Sequence, residues 1–359
     1  MKIAYYITSH GYGHALRSSV ICNKFSRDVE LIFRTKVPEV FFRQEVVRPF
    51  SYAPAEFDCG CIQTDGVTVD VGRTVATYSE RADKNAVILP DEVQWCVDNT
   101  IDGIVSDIVP FAFEVAASAG IPSIAVTNFT WWDIYVEYCA AFPRFAPYVE
   151  EVRGQYGLAD MLMELMAPMP MEYFKKKIPV NPVGRVGKNI RDRLFSEYSL
   201  PKNKHLALIY TGNFGMDAIR WEKLEQFADW EFLGLYPLGN SPSNYHVVSK
   251  RVFRYQDCIA SVDCMISKIG YGVYAECLLN GTPIMYLPRE GFAEYPVLDR
   301  AIVKWGGGVC LPKNDFYGLN FGDALGKISS LNRPLPLKSD GAAVCAGEIE
   351  LIIKAFSVP

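Results

Sequence analysis

Three observations predict an α/β protein made of two parallel-sheet halves that face a cleft. An apolar, β-prone run from Lys2 to Thr8 passes through a glycine-rich turn, Ser9 to Gly13, into a helical stretch, Ala15 to Phe25. The strand–helix–strand rhythm then recurs with short connections, which implies parallel strands covered on both faces. After a segment rich in proline and glycine, residues 178 to 189, the same rhythm begins again.

In the first half, strands are expected at Val29 to Arg34, Gly103 to Ser106 and Pro122 to Thr127, with a helix at Pro110 to Ala119 between the last two. In the second half, Leu206 to Tyr210 ends in Thr211-Gly212-Asn213, and further strands fall at Trp230 to Leu233, Cys264 to Ser267 and Pro283 to Leu287. Gly272 to Asn280 and Ala342 to Phe356 carry helix-period apolar positions. The expected division is a first Rossmann-like domain over 1–180, a second over 190–340, and a terminal helix, 341–359, crossing back to the first.

Composition narrows the function. Half of the 359 residues are apolar and 21% are charged, enough to fill two cores without disorder. The net charge is −5 and no stretch concentrates Lys and Arg, so no nucleic-acid partner is expected and a small ligand is. The opening apolar run is too short for a signal peptide or a membrane span, so the chain is expected to be cytoplasmic. Ten cysteines are scattered through apolar segments, as reduced thiols are. Cys59 and Cys61 lack a second pair at zinc spacing. Five methionines between Met161 and Met171, followed by Lys175 to Lys177, read as a core helix with a basic end, or else as a weak peripheral membrane contact.

The stretch Met265 to Arg300 is the most informative. A strand ends at Ser267, and Gly270, Tyr271 and Gly272 open a helix whose free N–H groups and dipole suit a pyrophosphate. Glu276 lies one turn in, placed to accept both hydroxyls of a ribose; the alternative is a tight turn with Glu276 solvated. At the other sheet, Ser9-His10-Gly11-Tyr12-Gly13-His14 occupies the first strand's carboxyl end, where open α/β sheets bind ligands. His14 is the candidate general base, with Asp107, just past another strand at the same edge, to orient it. Helix capping by His14 and Asp107 is the alternative, and His10 is a second candidate base. Trp131 and Trp132 either stack on an acceptor ring or fill the core. No Asp-x-Asp occurs, so no metal and no cofactor is expected; charge on a diphosphate would fall to the loop N–H groups with Thr211, Asn213 or Arg289.

These strings resemble the donor site of GT-B glycosyltransferases, of the MurG-like and plant UDP-glycosyltransferase kinds. Gly281-Thr282-Pro283, an apolar strand and Pro288 follow in the family's order. SKIGYG, the Glu after it and the Tyr-Pro step are most similar to the glycosyltransferase-like N-terminal domain of L-arabinokinases. The Gly-His step and Asp107 match the family's catalytic His and Asp. The resemblance implies Phe253, Arg254 and Tyr255 beside a nucleobase, Glu294 and Tyr295 beside the donor sugar, and His10, Gly11 and Gly13 on the acceptor side. It implies a metal-independent hexosyltransferase of UDP-sugars acting on a hydroxyl with inversion. Glu294-Tyr295 replaces the family's usual Asp-Gln or Gln-Gln. A nicotinamide-dependent oxidoreductase, on Gly270-x-Gly272-x-x-Ala275 with Glu290, and a nucleotide-sugar-binding module or epimerase without transfer are the competing readings.

Overall fold

The computed structural model describes residues 1–65, 67–210, 219–238, 240, 242–249 and 251–356. The first sheet holds seven strands: β1 (Lys2–Ile7), β2 (Glu30–Arg34), β3 (Ser51–Ala53), β4 (Gly103–Asp107), β5 (Ser123–Thr127), β6 (Met161–Leu165) and β7 (Lys177–Val180). Their order is β3-β2-β1-β4-β5-β6-β7, and every pair is parallel. The second sheet holds β8 (His205–Ile209), β9 (Trp230–Gly234), β10 (Tyr245–Val247), β11 (Cys264–Lys268), β12 (Ile284–Leu287) and β13 (Gly308–Cys310), in the order β10-β9-β8-β11-β12-β13, again parallel throughout. In both, the strand order reverses beside the first strand of the sheet, and that switch point opens a crevice at the carboxyl ends.

Central strands β1, β4 and β5 are buried along nearly their whole length, as apolar runs in a doubly covered sheet must be. Departures from expectation fall at the edges. The methionine-rich stretch is not a helix: Met161–Leu165 is β6, with Leu162, Met163 and Leu165 in the core. Lys177–Val180, expected to begin the connection, is the last strand, and its Pro179 is tolerated because β7 pairs only with β6. A 28-residue helix, Val71–Asp98, capped by Asp70, also had no counterpart in the sequence reading.

The terminal helix, Gly341–Phe356, returns to the first lobe. Cys345, Ala346, Ile349 and Ile353 enter its core beside Ile3 and Val105, and Glu350 accepts from the backbone N–H and hydroxyl of Ser26 at 2.6 and 2.8 Å. The connection between sheets is also fastened: Gly187 N–H donates to Asn280, Lys188 N–H to Asp257 and Ile190 N–H to Ser261, each within 2.8 Å. No helix among the described residues is long and apolar enough to cross a membrane.

Candidate active site between the two sheets

Parallel pairing of β1 with β4 sets Ile7 opposite Asp107, so the loop after β1 and the end of β4 share one edge. Gly11, at φ 91°, turns the chain into the helix Tyr12–Cys22, whose first turn carries His14. His14 Nδ1 lies 2.8 Å from Asp107 Oδ1. Neither residue is a helix cap: the caps are Gly11 and Pro110, and neither makes a side-chain bond. Asp107 is fully buried, which pushes its carboxyl up, yet Arg17 and His14 outweigh burial and hold it at about 2. The carboxylate therefore accepts from Nδ1–H, leaving the Nε2 lone pair free. Burial, opposed by Asp107 and reinforced by the Arg17 charge, keeps His14 below the ordinary histidine range, so it is neutral at neutral pH.

Arg17 was not foreseen. It stands one turn after His14 on the same helix and forks onto Asp107 at 2.7 Å (Nε to Oδ2) and 2.6 Å (Nη2 to Oδ1), while Ser18 donates to Oδ2 at 2.9 Å. Its other arm donates to Asn128 at 2.9 Å, and Asn128 donates to Glu294 at 2.7 Å. Through Asn128 the catalytic candidates of one lobe reach a donor-side candidate of the other. The i,i+3 spacing of His14 and Arg17 was the one signal in the sequence; Asn128, one residue past β5, had only its position at the same sheet edge.

His10 differs from His14 in what it offers. Its Nδ1 accepts from Cys61 N–H at 3.2 Å, so the proton sits on Nε2. Burial, with the nearby charges of Arg289 and Lys268, keeps it neutral. It packs so tightly on Gly60 that a Cβ there would lie 2.4 Å from the ring, and Gly60 has φ +59°. The tryptophans do not match the expectation of an acceptor platform. Trp131 is fully buried, stacked on Tyr135, with its indole N–H given to Asp58 at 2.8 Å. Trp132 packs edge-on against Tyr173 and under Arg153. The apolar interior claimed Trp131, for which Asp58 supplies the buried acceptor its N–H requires, while Trp132 is partly buried at the edge of the same core.

In the second lobe, β11 delivers Gly270 as the cap of the helix Tyr271–Asn280. A Cβ built on Gly272 would have the Cα of Gly13 as its nearest neighbour, 3.7 Å away, so the two glycine turns face each other across the lobes. Tyr271 carries Arg17 over its ring at 5.2 Å and accepts from Val183 N–H at 3.0 Å. Ser267 spends its hydroxyl on the carbonyl of Tyr210. Phe253 is buried in the core, Arg254 pairs with Asp257, and Tyr255 lies against Tyr210. Tyr295 lies beside Cys310 and Asp299. Thr211, Gly212 and Asn213 lie outside the described residues.

Glu276 requires a correction. It was expected either to await a ribose or to be solvated, but it is 1% exposed and both oxygens take Arg185, at 2.6 and 3.3 Å. Arg185 also binds Glu45 of the first lobe at 3.0 Å. A carboxylate buried one turn into a helix needs a cation, and the connecting segment supplies it.

No protein-family model matches the chain. L-arabinokinase of Arabidopsis thaliana is 32% identical over 325 residues, which take in 88% of this chain and 31% of the plant protein, so the chain spans about a third of that relative. Among solved structures, the calicheamicin glycosyltransferase CalG4 is 14% identical with a TM-score of 0.68, covering 99% of both chains. The glycosyltransferase of kitacinnamycin is 16% identical with a TM-score of 0.65, over 98% of this chain and 99% of its own. Phytolacca americana UGT2, complexed with UDP-2-fluoro-glucose and pterostilbene, is 12% identical with a TM-score of 0.65 over 99% of both. With two parallel sheets, facing turns and a returning terminal helix, the chain belongs to the GT-B fold.

Proposed function

We propose that the chain transfers a glycosyl group from a nucleotide-diphosphate sugar, UDP-linked, to an acceptor hydroxyl with inversion and without a metal. The observation that carries this reading is the His14–Asp107 pair at 2.8 Å, standing beside Gly13 and facing the Gly272 turn. In the step envisaged, the acceptor oxygen bonds to the anomeric carbon as the bond from that carbon to the diphosphate oxygen breaks. His14 Nε2 takes the hydroxyl proton, Asp107 stabilises the imidazolium formed, and the diphosphate leaves with the bonding pair. The N–H groups at the start of Tyr271–Asn280 receive its charge. His14 is preferred to His10 as the base because its free ring nitrogen carries a lone pair rather than a proton.

A second reading is binding of a nucleotide-sugar without transfer; under either reading a donor ribose would have to displace the Arg185–Glu276 ion pair to use that carboxylate. The test is UDP release from a panel of UDP-sugars, with UDP affinity measured in parallel. His14→Ala should abolish release while UDP affinity stays within twofold. Release that survives in His14→Ala removes the base assignment, and a wild-type chain that binds UDP without release supports the second reading.

A further inference from the structure

Three enclosed guanidinium groups each face a carboxylate: Arg17 with Asp107 at 2.6 Å, Arg34 with Glu92 at 2.5 Å and Arg185 with Glu276 at 2.6 Å. Arg48, which has no ion pair, instead gives its two arms to backbone carbonyls, and Arg289, two residues past β12, has neither among the described residues. Its Nε is enclosed without a hydrogen-bond partner, and among the described residues no carboxylate lies within the 4.0 Å of an ion pair. The ring of Phe292 lies under Arg289, its centroid 3.6 Å from the guanidinium carbon. Lys268, at the end of the neighbouring strand, is nearly as bare, holding only Gln63 Oε1 at 3.5 Å. Burial and the Arg289 charge push its ammonium down to about 8.

Glu294 and Asp65 act on these two cations only from beyond ion-pair distance, and neighbouring cations drawn out of water without a carboxylate in contact are costly, so such sites persist where a ligand supplies the missing contact. The position says which part of a ligand that is. Phe292, which carries Arg289, also stacks on His10 at 6.3 Å and meets Phe129 at 5.5 Å, and His10 meets Trp131 at 5.3 Å. Arg289 thus lines the wall shared with the loop after β1, on the acceptor side of His14. The N–H groups of Tyr271–Asn280 remain for a diphosphate.

We propose that Arg289 and Lys268 form a subsite for an oxyanion on the acceptor, which makes the acceptor an anionic molecule bearing a carboxylate or a phosphate, for which acidic sugars serve as probes. The inference rests on the transfer reading only for the word acceptor; the subsite itself is tested by binding. It moves Arg289 from the diphosphate role expected from sequence to the other substrate.

The experiment uses the full chain, with and without saturating UDP, titrated with glucose, glucuronate, glucose 6-phosphate and inorganic phosphate while thermal unfolding is followed. Glucuronate or glucose 6-phosphate, whichever anion fits, should bind at least tenfold more tightly than glucose, and the two arms distinguish carboxylate from phosphate. Arg289→Met should unfold a few degrees higher than wild type without ligand, because an unpaired buried charge is gone, and should lose the preference for the acidic sugar. Its UDP affinity should stay within twofold. Lys268→Met should weaken the preference in the same direction and serves if Arg289→Met misfolds. Equal binding of glucose and the acidic sugars, or inorganic phosphate protecting wild type and both variants alike, overturns the proposal. A tenfold loss of UDP affinity in Arg289→Met also overturns it, by assigning the cation to the diphosphate. Failure of UDP to bind at all would count against glycosyl transfer and leave the acidic-sugar arms to decide the subsite.

Discussion

Changing Asp107 to Asn keeps the shape of the site and removes the charge on which two buried groups depend. Arg17 and Ser18 give three hydrogen bonds to the carboxylate and His14 gives a fourth, spread over both oxygens. An amide has one acceptor oxygen, so in either orientation its NH2 meets an N–H of Arg17. Breaking a buried pair from one side costs about 3–5 kcal/mol, because the remaining guanidinium is left uncompensated. For lobes of this size that is roughly 6–20 °C in Tm. Acidity gives an independent check. Asp107 is held at about 2 against an ordinary 3.8, so its ionisation contributes about 2–3 kcal/mol of stability. A depressed carboxyl contributes fully above pH 3.8 and loses its contribution as pH falls toward 2. The gap between wild type and Asp107→Asn should therefore be widest near neutrality and close in acid, when measured by urea unfolding across pH. Removing both charges, as Arg17→Met with Asp107→Leu, should restore most of the lost stability. An Asp107→Asn protein within 1 kcal/mol of wild type at pH 7, with no dependence of the gap on pH, would refute this account of the site.

Transfer activity should hold until pH falls below the ordinary histidine value of about 6.5, because burial and Arg17 lower His14; an acid limb above that value in kcat/KM would contradict the assignment. The same shift makes His14's contribution to stability present above 6.5 and lost as pH falls. Gly341→Ala places a Cβ 2.1 Å from the carbonyl oxygen of Asn181 and should cost about 1–3 kcal/mol in urea unfolding. Gly347→Ala, in open space on the same helix, should be neutral or stabilise by up to about 1 kcal/mol, and equal effects of the two would discredit the packing of the tail. Gly272→Ala should be tolerated at its 3.7 Å approach to Gly13, whereas Gly272→Leu should weaken UDP binding at least tenfold with unchanged circular dichroism; full affinity in Gly272→Leu would mean that the two turns do not enclose the ligand.

What could be read from the chain follows from how locally each feature is encoded. Strands β1, β4, β5, β8, β11 and β12 announce themselves because both faces are buried, and continuous apolar runs follow. The edge strands do not. β3, β10 and β13 have three residues each, too few for any periodicity, and their pairing is imposed by neighbours already in place. β6 was mistaken for a helix because methionine has little preference between the two and the run is short. His14 and Asp107 were legible since each ends or follows a recognisable strand at the binding edge.

The ion pairs were not legible, and the reason bears on function. Glu276 was expected to receive a ribose, yet its partner lies ninety-one positions earlier, in a segment whose composition reads only as a connection. Such a pairing is chosen by the docking of two lobes, which no window of sequence contains. Arg185 holds Glu45 and Glu276 together and so ties the lobes at the carboxylate that the proposed donor would compete for. Arg17 does the converse at the other turn: it neutralises Asp107, reaches Glu294 through Asn128, and leaves His14 its lone pair. A ligand that reached Glu276 would have to loosen the first link, whereas one that used His14 could leave the second intact. On the proposed transfer reading the two links respond to different substrates, and the donor side is the one where binding works against the Arg185 link between the lobes.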